Sequence, residues 1–366
     1  MQRNNQLLLA GLMVLTVGCQ AKDASDGMTD TTSGMNTSMT TDAVAPMAAP
    51  DAEMKAVLDQ LGTMGGKPIE TLTAAEARKQ PTPADAAVAV MKAQGKPTAP
   101  DPAVRSVDRT IQTAGGTLPV RIYTPVAGTA PFPVVVYYHG GGWVIADKQV
   151  YDAGARGLAK AAGAVVISVD YRQGPENRFP AAHDDAYATY EWALANAASL
   201  KGDPKKIALA GESAGGGLAV ATAIMARDRK AQMPLAIVSV YPIAGTDTAT
   251  PSYRENANAK PLSRAMMSWF FDNYLNGPQD RNDPRVNLVA ANLAGLPATT
   301  IINAQIDPLR SDGELLAQKM RDAGVAVEQR TYENVTHEFF GMAAIVAKAM
   351  AAQQMAGDAL KAAFAR

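Results

Sequence analysis

Cysteine is almost missing: one residue in 366, which excludes a disulfide framework within the chain. Histidine is nearly as scarce, with three residues, so too few soft ligands remain for a Cys/His zinc site. Any hydrolytic chemistry is therefore expected to run without a metal, and no cofactor is implied. Neither charge sign is in excess, since 34 Lys and Arg face 35 Asp and Glu for a formal net charge of -1. No global field recruits a polyanion, and no nucleic-acid partner is expected. What the chain does have is apolar material: 47% hydrophobic residues, with 30 Gly and 23 Pro dispersed among them. Disordered and collagen-like chains lack that supply, so at least one sizeable globular domain is expected.

The first 18 residues read as a secretory signal peptide. Arg3 supplies a positive start, Leu7 to Val17 form an apolar run, and the small residue Gly18 precedes Cys19. The run falls short of the roughly 20 residues that a bilayer span needs. Leu15-Thr16-Val17-Gly18-Cys19 resembles the lipobox of bacterial lipoproteins, with Thr16 where Leu is commoner. The resemblance implies that Cys19 is acylated and becomes the mature N-terminus, holding the protein to the bacterial cell envelope. Gln20 agrees, by analogy, with sorting to the periplasmic face of the outer membrane; plain secretion is the alternative. From Gln20 to about Pro50 the chain is Ser, Thr, Asp, Met and Ala without aromatics, the composition of a disordered tether.

Two helices are expected over residues 51–100, from Met54-Val57-Leu58-Leu61 and Ala86-Ala87-Val88-Val90-Met91. From 101 to 366 a single large domain is expected. Alternation marks strands at Val104–Ile111 and Leu118–Tyr123. Nearly continuous apolar runs mark strands buried on both faces at Phe132–Tyr138, Ala164–Val169, Ile207–Ala210, Leu235–Tyr241 and Thr299–Asn303. Helical patterns lie between them, at Tyr151–Ala162, Ala181–Leu200, Ala214–Lys230 and Asp312–Ala323. This is an α/β pattern, a mostly parallel sheet with helices on both faces. Residues 246–287 break the rhythm with a segment long enough for a helical subdomain.

Ligands bind beyond the carboxyl ends of such strands, which is where chemistry is sought. Gly211-Glu212-Ser213-Ala214-Gly215 joins a strand to a helix as a G-x-S-x-G turn that projects the Ser213 hydroxyl at a helix N-terminus. His139-Gly140-Gly141-Gly142 follows another strand, and consecutive glycines can aim backbone N–H groups at one oxyanion. A serine needs a neutral imidazole to take its proton, and the imidazole needs a carboxylate to fix its tautomer. Asp307 and His337, after the strands Thr299–Asn303 and Val325–Tyr332, complete the order Ser, Asp, His. Among the rivals, His139 is expected to brace the glycine loop, and His183 to be solvated or capping at a helix start. Asp312 is expected inside a helix, and Asp170 to hold a loop.

These motifs, with Asp307-Pro308-Leu309-Arg310, His337-Glu338-Phe339 and Tyr171-Arg172-Gln173-Gly174-Pro175-Glu176 before Phe179-Pro180-Ala181-Ala182, resemble the hormone-sensitive-lipase family of bacterial esterases. The resemblance implies an α/β-hydrolase fold with Ser213 as nucleophile, His337 as base and then acid, and Asp307 as its partner. It assigns oxyanion donors to the backbone N–H groups of Gly141, Gly142 and Ala214. It also implies that the N-terminal helices and the 246–287 insertion form a cap over the pocket. The expected reaction is hydrolysis of short- to medium-chain esters through an acyl-enzyme; deacetylase, lactonase or amidase activity would use the same triad. A receptor on a hydrolase scaffold is the remote alternative, disfavoured because His337 is present. Three departures bear on substrate preference: Glu212 replaces a frequent Asp, Gln173-Gly174 a frequent Leu-Ala, and Glu338 a frequent Gly.

Overall fold

The computed structural model describes residues 45–366. The expected leader, Cys19 and the tether as far as residue 44 lie outside the described residues. The strands are β1 Val104–Thr113, β2 Gly116–Pro125, β3 Phe132–Tyr138, β4 Val165–Val169, β5 Gly202–Glu212, β6 Ile237–Val240, β7 Thr299–Ile306 and β8 Val327–Thr336. They form one sheet in the order β1-β2-β4-β3-β5-β6-β7-β8. β2 runs antiparallel to both its neighbours, and every other pairing is parallel.

The helices are α1 Ala52–Thr63, α2 Ala74–Ala77, α3 Pro83–Ala93, α4 Asp152–Ala162, α5 Ala181–Asn196, α6 Ala214–Asp228, α7 Pro251–Glu255, α8 Arg264–Tyr274, α9 Arg310–Asp322 and α10 Ala347–Phe364. Side chains of a strand alternate between faces, and the continuous apolar runs divide accordingly. Val134, Val136, Ile167 and Leu209 pack with α5, α6 and α9, while Val135, Val166, Ala208 and Ala210 pack with α4 and α10. Helix α6 is buried from Ala214 through Ala226, which suits a sequence that is small and apolar there except for Thr222.

Helices α1 and α3 bury Met54, Val57, Ala86 and Val90 in the cluster shared with α4 and α10. The segment between them turns toward the insertion, where the Trp269 indole N–H donates to the Leu72 carbonyl at 3.1 Å. Within the insertion, Ser263 caps α8 by accepting from the Met266 N–H. At the other end of α8 the Arg178 guanidinium donates to the Asp272 and Leu275 carbonyls, where the helix dipole favours a cation. Arg78, the C-cap of α2, donates to the Val144 and Gly174 carbonyls at 2.8 and 2.7 Å and pairs with Glu176. The chain before the sheet is thereby tied to the loops above it.

Candidate active site

The turn from β5 to α6 is shaped by backbone contacts that leave no space for side chains. A Cβ at Gly211 would stand 2.2 Å from the Gly215 carbonyl oxygen, and one at Gly215 only 1.9 Å from that of Tyr138. Between them Ser213 takes φ 57° and ψ -119°, a conformation few non-glycine residues adopt. Its N–H donates to the Val240 carbonyl at 2.8 Å, and its own carbonyl accepts from Gly217 and Ile243 at 3.1 Å each. The strained residue is thus fixed on both sides, with its hydroxyl at the N-terminus of a 15-residue helix.

Strand register explains how residues 30 apart in sequence meet. A bulge between Ala304 and Ile306 brings Ile306 opposite Thr336, so the next residue on each strand, Asp307 and His337, emerges at the same edge. His337 Nδ1 lies 2.7 Å from Asp307 Oδ2, and His337 Nε2 lies 2.9 Å from Ser213 Oγ. Asp307 Oδ1 accepts from the Leu309 N–H at 2.8 Å, which fixes the carboxylate. The three groups are buried: Asp307 is 0% exposed, His337 2% and Ser213 4%. Burial opposes a charged imidazole, yet Asp307, its hydrogen bond and the nearby Glu338 outweigh it. His337 therefore titrates above the ordinary histidine range.

The glycine loop after β3 closes the other side. Gly141 has φ 97° and Gly142 φ 58°. A Cβ at Gly141 would lie 2.1 Å from the Ile145 carbonyl oxygen, and one at Gly142 2.2 Å from the ring of Phe270 on α8. Only glycine satisfies both demands. The N–H groups of Gly141, Gly142 and Ala214 donate to no acceptor among the described residues. His139 braces this loop as expected: its Nδ1 is 2.7 Å from the Gly140 carbonyl, and its ring stacks on Tyr171 with centroids 4.3 Å apart.

Comparison with known proteins agrees with this geometry. A family profile described as the alpha/beta hydrolase fold matches residues 135–341. Carboxylesterase NlhH of Mycobacterium tuberculosis is 39% identical over 265 residues, covering 71% of this chain and 83% of the relative. An ethyl acetate hydrolase of Pseudomonas putida is 34% identical over 323 residues, covering 85% and 98%. Among solved structures, the hyperthermophilic esterase of the archaeon Pyrobaculum calidifontis superposes with a TM-score of 0.78 at 34% identity, covering 86% of this chain and 99% of its own. The chain belongs to the α/β-hydrolase family.

Two rival acids of the hydrolase lie where the sequence puts them. Asp312 sits in the first turn of α9, where its Oδ2 accepts from the Ala244 and Gly245 N–H groups at 3.2 and 2.8 Å. Burial pushes its carboxyl up to about 7. Asp170 holds the loop at Lys148, accepting from the backbone N–H at 2.7 Å and from the ammonium group. The expectation for His183 is wrong. It is neither solvated nor a cap: the insertion folds over the start of α5 and buries it. Its Nδ1 lies 2.8 Å from the Tyr274 hydroxyl and its Nε2 3.2 Å from the Arg285 carbonyl. Burial, with Arg285 nearby, lowers it to about 3, so it stays neutral.

A buried polar cluster beneath the triad was not expected. Glu212 accepts from the hydroxyls of Tyr137 and Tyr241, and the Tyr241 ring packs 4.5 Å from the ring of His337. Burial pushes Glu212 up to about 8 against those hydrogen bonds, so it is largely protonated at neutral pH. Nearby, Tyr151 donates to Glu338 across 187 positions of sequence. Glu212 and Glu338 are visible in the sequence as departures from the family pattern. Their tyrosine partners carry no signal, because Tyr137 reads as strand core and Tyr151 as a helix start.

Proposed function

We propose that Ser213, His337 and Asp307 are the catalytic triad of this hydrolase, with the N–H groups of Gly141, Gly142 and Ala214 as its oxyanion donors. The enzyme is a hydrolase acting on carboxylic ester bonds. His337 takes the Ser213 proton as the hydroxyl attacks the ester carbonyl; the tetrahedral oxyanion faces the unpaired backbone donors. The imidazolium then protonates the departing alcohol, and the reverse sequence with water frees the acid from the acyl-enzyme. Asp307 holds the imidazole in its productive tautomer and stabilises its cation. The single observation that carries this reading is the imidazole bridging Ser213 Oγ at 2.9 Å and Asp307 Oδ2 at 2.7 Å.

Phe270 of the insertion packs on Gly142 of the glycine loop, and a site covered in this way would favour short to medium acyl chains. The test is Ser213→Ala assayed with p-nitrophenyl esters of increasing chain length. Loss of turnover in a folded variant supports the assignment, and a wild-type rate refutes it. The leader supports a second proposal: Cys19 is acylated and tethers the enzyme to the cell envelope, on the periplasmic face of the outer membrane. Two or three chains anchor far more firmly than one. Wild-type protein should sediment with membranes and need detergent for release, while Cys19→Ala should be soluble. Equal membrane recovery of the two would refute the anchor.

A further inference from the structure

Glu338 follows the catalytic imidazole directly, with φ 72°, in the left-handed region that favours glycine. A glutamate held there at a conformational cost invites a reason. Its side chain turns back toward the site: Oε1 lies 4.0 Å from His337 Nε2, the nitrogen that must meet the leaving alcohol, and accepts the Tyr151 hydroxyl. The Tyr151 oxygen occupies the space beside Gly140, 2.1 Å from where a Cβ would be, and that same Cβ would lie 3.1 Å from Ser213 Cβ. Tyr151 and Glu338 therefore form the wall between the glycine loop and the imidazole. The carboxylate is 21% exposed, and its Oε2 accepts no hydrogen bond among the described residues. The other acids around His337 are Asp307 and Glu212. Among the described residues no Lys or Arg pairs with Glu338, Glu212 or Asp307. Burial pushes the Glu338 carboxyl above the usual carboxylate range, against the pull of His337 and the Tyr151 hydroxyl, and a cation brought by the substrate would offset the cost of charging it.

We propose that Glu338 is a specificity residue that selects esters whose alcohol portion carries a positive charge, such as esters of amino alcohols. The inference rests on ester hydrolysis at Ser213. A substrate ammonium two carbons from the ester oxygen would sit beside Oε2 once that oxygen engages His337 Nε2. The interaction would be screened only partly in so closed a site.

The test uses two acetates of nearly equal shape, 2-(trimethylammonio)ethyl acetate and 3,3-dimethylbutyl acetate, with wild type, Glu338→Gln and Glu338→Gly at about pH 9, because burial raises the Glu338 carboxyl. Glycine suits the backbone at this position, so the second variant keeps the comparison available where the first fails to fold. In wild type the kcat/KM ratio of cationic to neutral ester should be about tenfold or more. In both variants it should fall toward one. Lost packing alone would slow both esters together and leave the ratio unchanged. A ratio near one in wild type, or one that survives both substitutions, overturns the proposal while leaving ester hydrolysis intact. Failure of wild type to turn over either acetate or p-nitrophenyl acetate overturns the ester reading and this inference with it.

Discussion

Replacing Gly142 by Ala drives a methyl group into Phe270. The new Cβ would lie 2.2 Å from two carbons of that ring, at a residue whose φ is 58°. The left-handed backbone costs about 1 kcal/mol for any residue with a Cβ. Forcing a buried ring aside costs about 1–3 kcal/mol more, so Gly142→Ala should lose roughly 2–4 kcal/mol in total. Gly163→Ala isolates the first contribution: Gly163 has φ 62° with nothing within 4 Å of where a Cβ would stand, and should lose only about 1 kcal/mol. Removing the ring, by Phe270→Ala, should itself cost about 3–5 kcal/mol. In the double variant the clash disappears, so the combined loss should fall short of the sum by about 1–3 kcal/mol. Urea denaturation of the three single variants and the double variant measures these values. The kcat/KM of each for p-nitrophenyl acetate reports whether the Gly142 N–H has moved. Strict additivity, or a Gly142→Ala loss no larger than that of Gly163→Ala, would refute the steric reasoning.

Three further outcomes follow from the same geometry. Asp307→Asn should fold but lose about 10⁴-fold in kcat, because an amide favours the wrong imidazole tautomer; a loss under tenfold in steady-state assays would remove Asp307 from the triad. The kcat/KM should rise with pH as the His337 imidazolium loses its proton, with a midpoint above the usual value of about 6.5. Glu338→Gln should lower that midpoint by removing a nearby acid, and a pH–rate profile in which it rises would contradict the assignment. Glu212, raised to about 8 from an ordinary value of 4.5, binds its proton more tightly when folded. Its contribution to stability is full below about 4.5 and lost as pH rises through about 8. Glu212→Gln should flatten the fall of Tm across that window, and an unchanged slope would show that the carboxyl is not buried as described.

Much of this molecule is legible before any coordinates. Parallel strands covered on both faces read as unbroken apolar runs, which is why β3 and β4 fall within a residue of expectation. Strand β5 starts earlier than its apolar core because Gly202 pairs with Phe132 ahead of the polar stretch Asp203 to Lys206. Strand β8 runs on to Thr336 because a bulge re-pairs it with Ile306, and this extension is what delivers His337. Helix α10 leaves no comparable signal. Its buried stripe is Ala349, Ala352, Ala356 and Leu360, and alanine is too weakly apolar for such a stripe to stand out. The G-x-S-x-G turn, the glycine loop and the Ser, Asp, His order carry the site, since each motif has a steric or chemical reason visible in a few consecutive residues. His183 and the tyrosine–glutamate pairs do not, because their environments are created by segments far away in sequence: Tyr274 and Arg285 for His183, and Tyr151 for Glu338.

Covalent trapping tests the central claim most directly. Wild-type enzyme treated with a fluorophosphonate and digested for mass spectrometry should carry one adduct, on the peptide containing Ser213. The labelling rate should collapse in His337→Ala, which lacks the base 2.9 Å from the hydroxyl. Ester turnover that persists while Ser213 stays unmodified, or an inactivating adduct on another residue, would contradict the account.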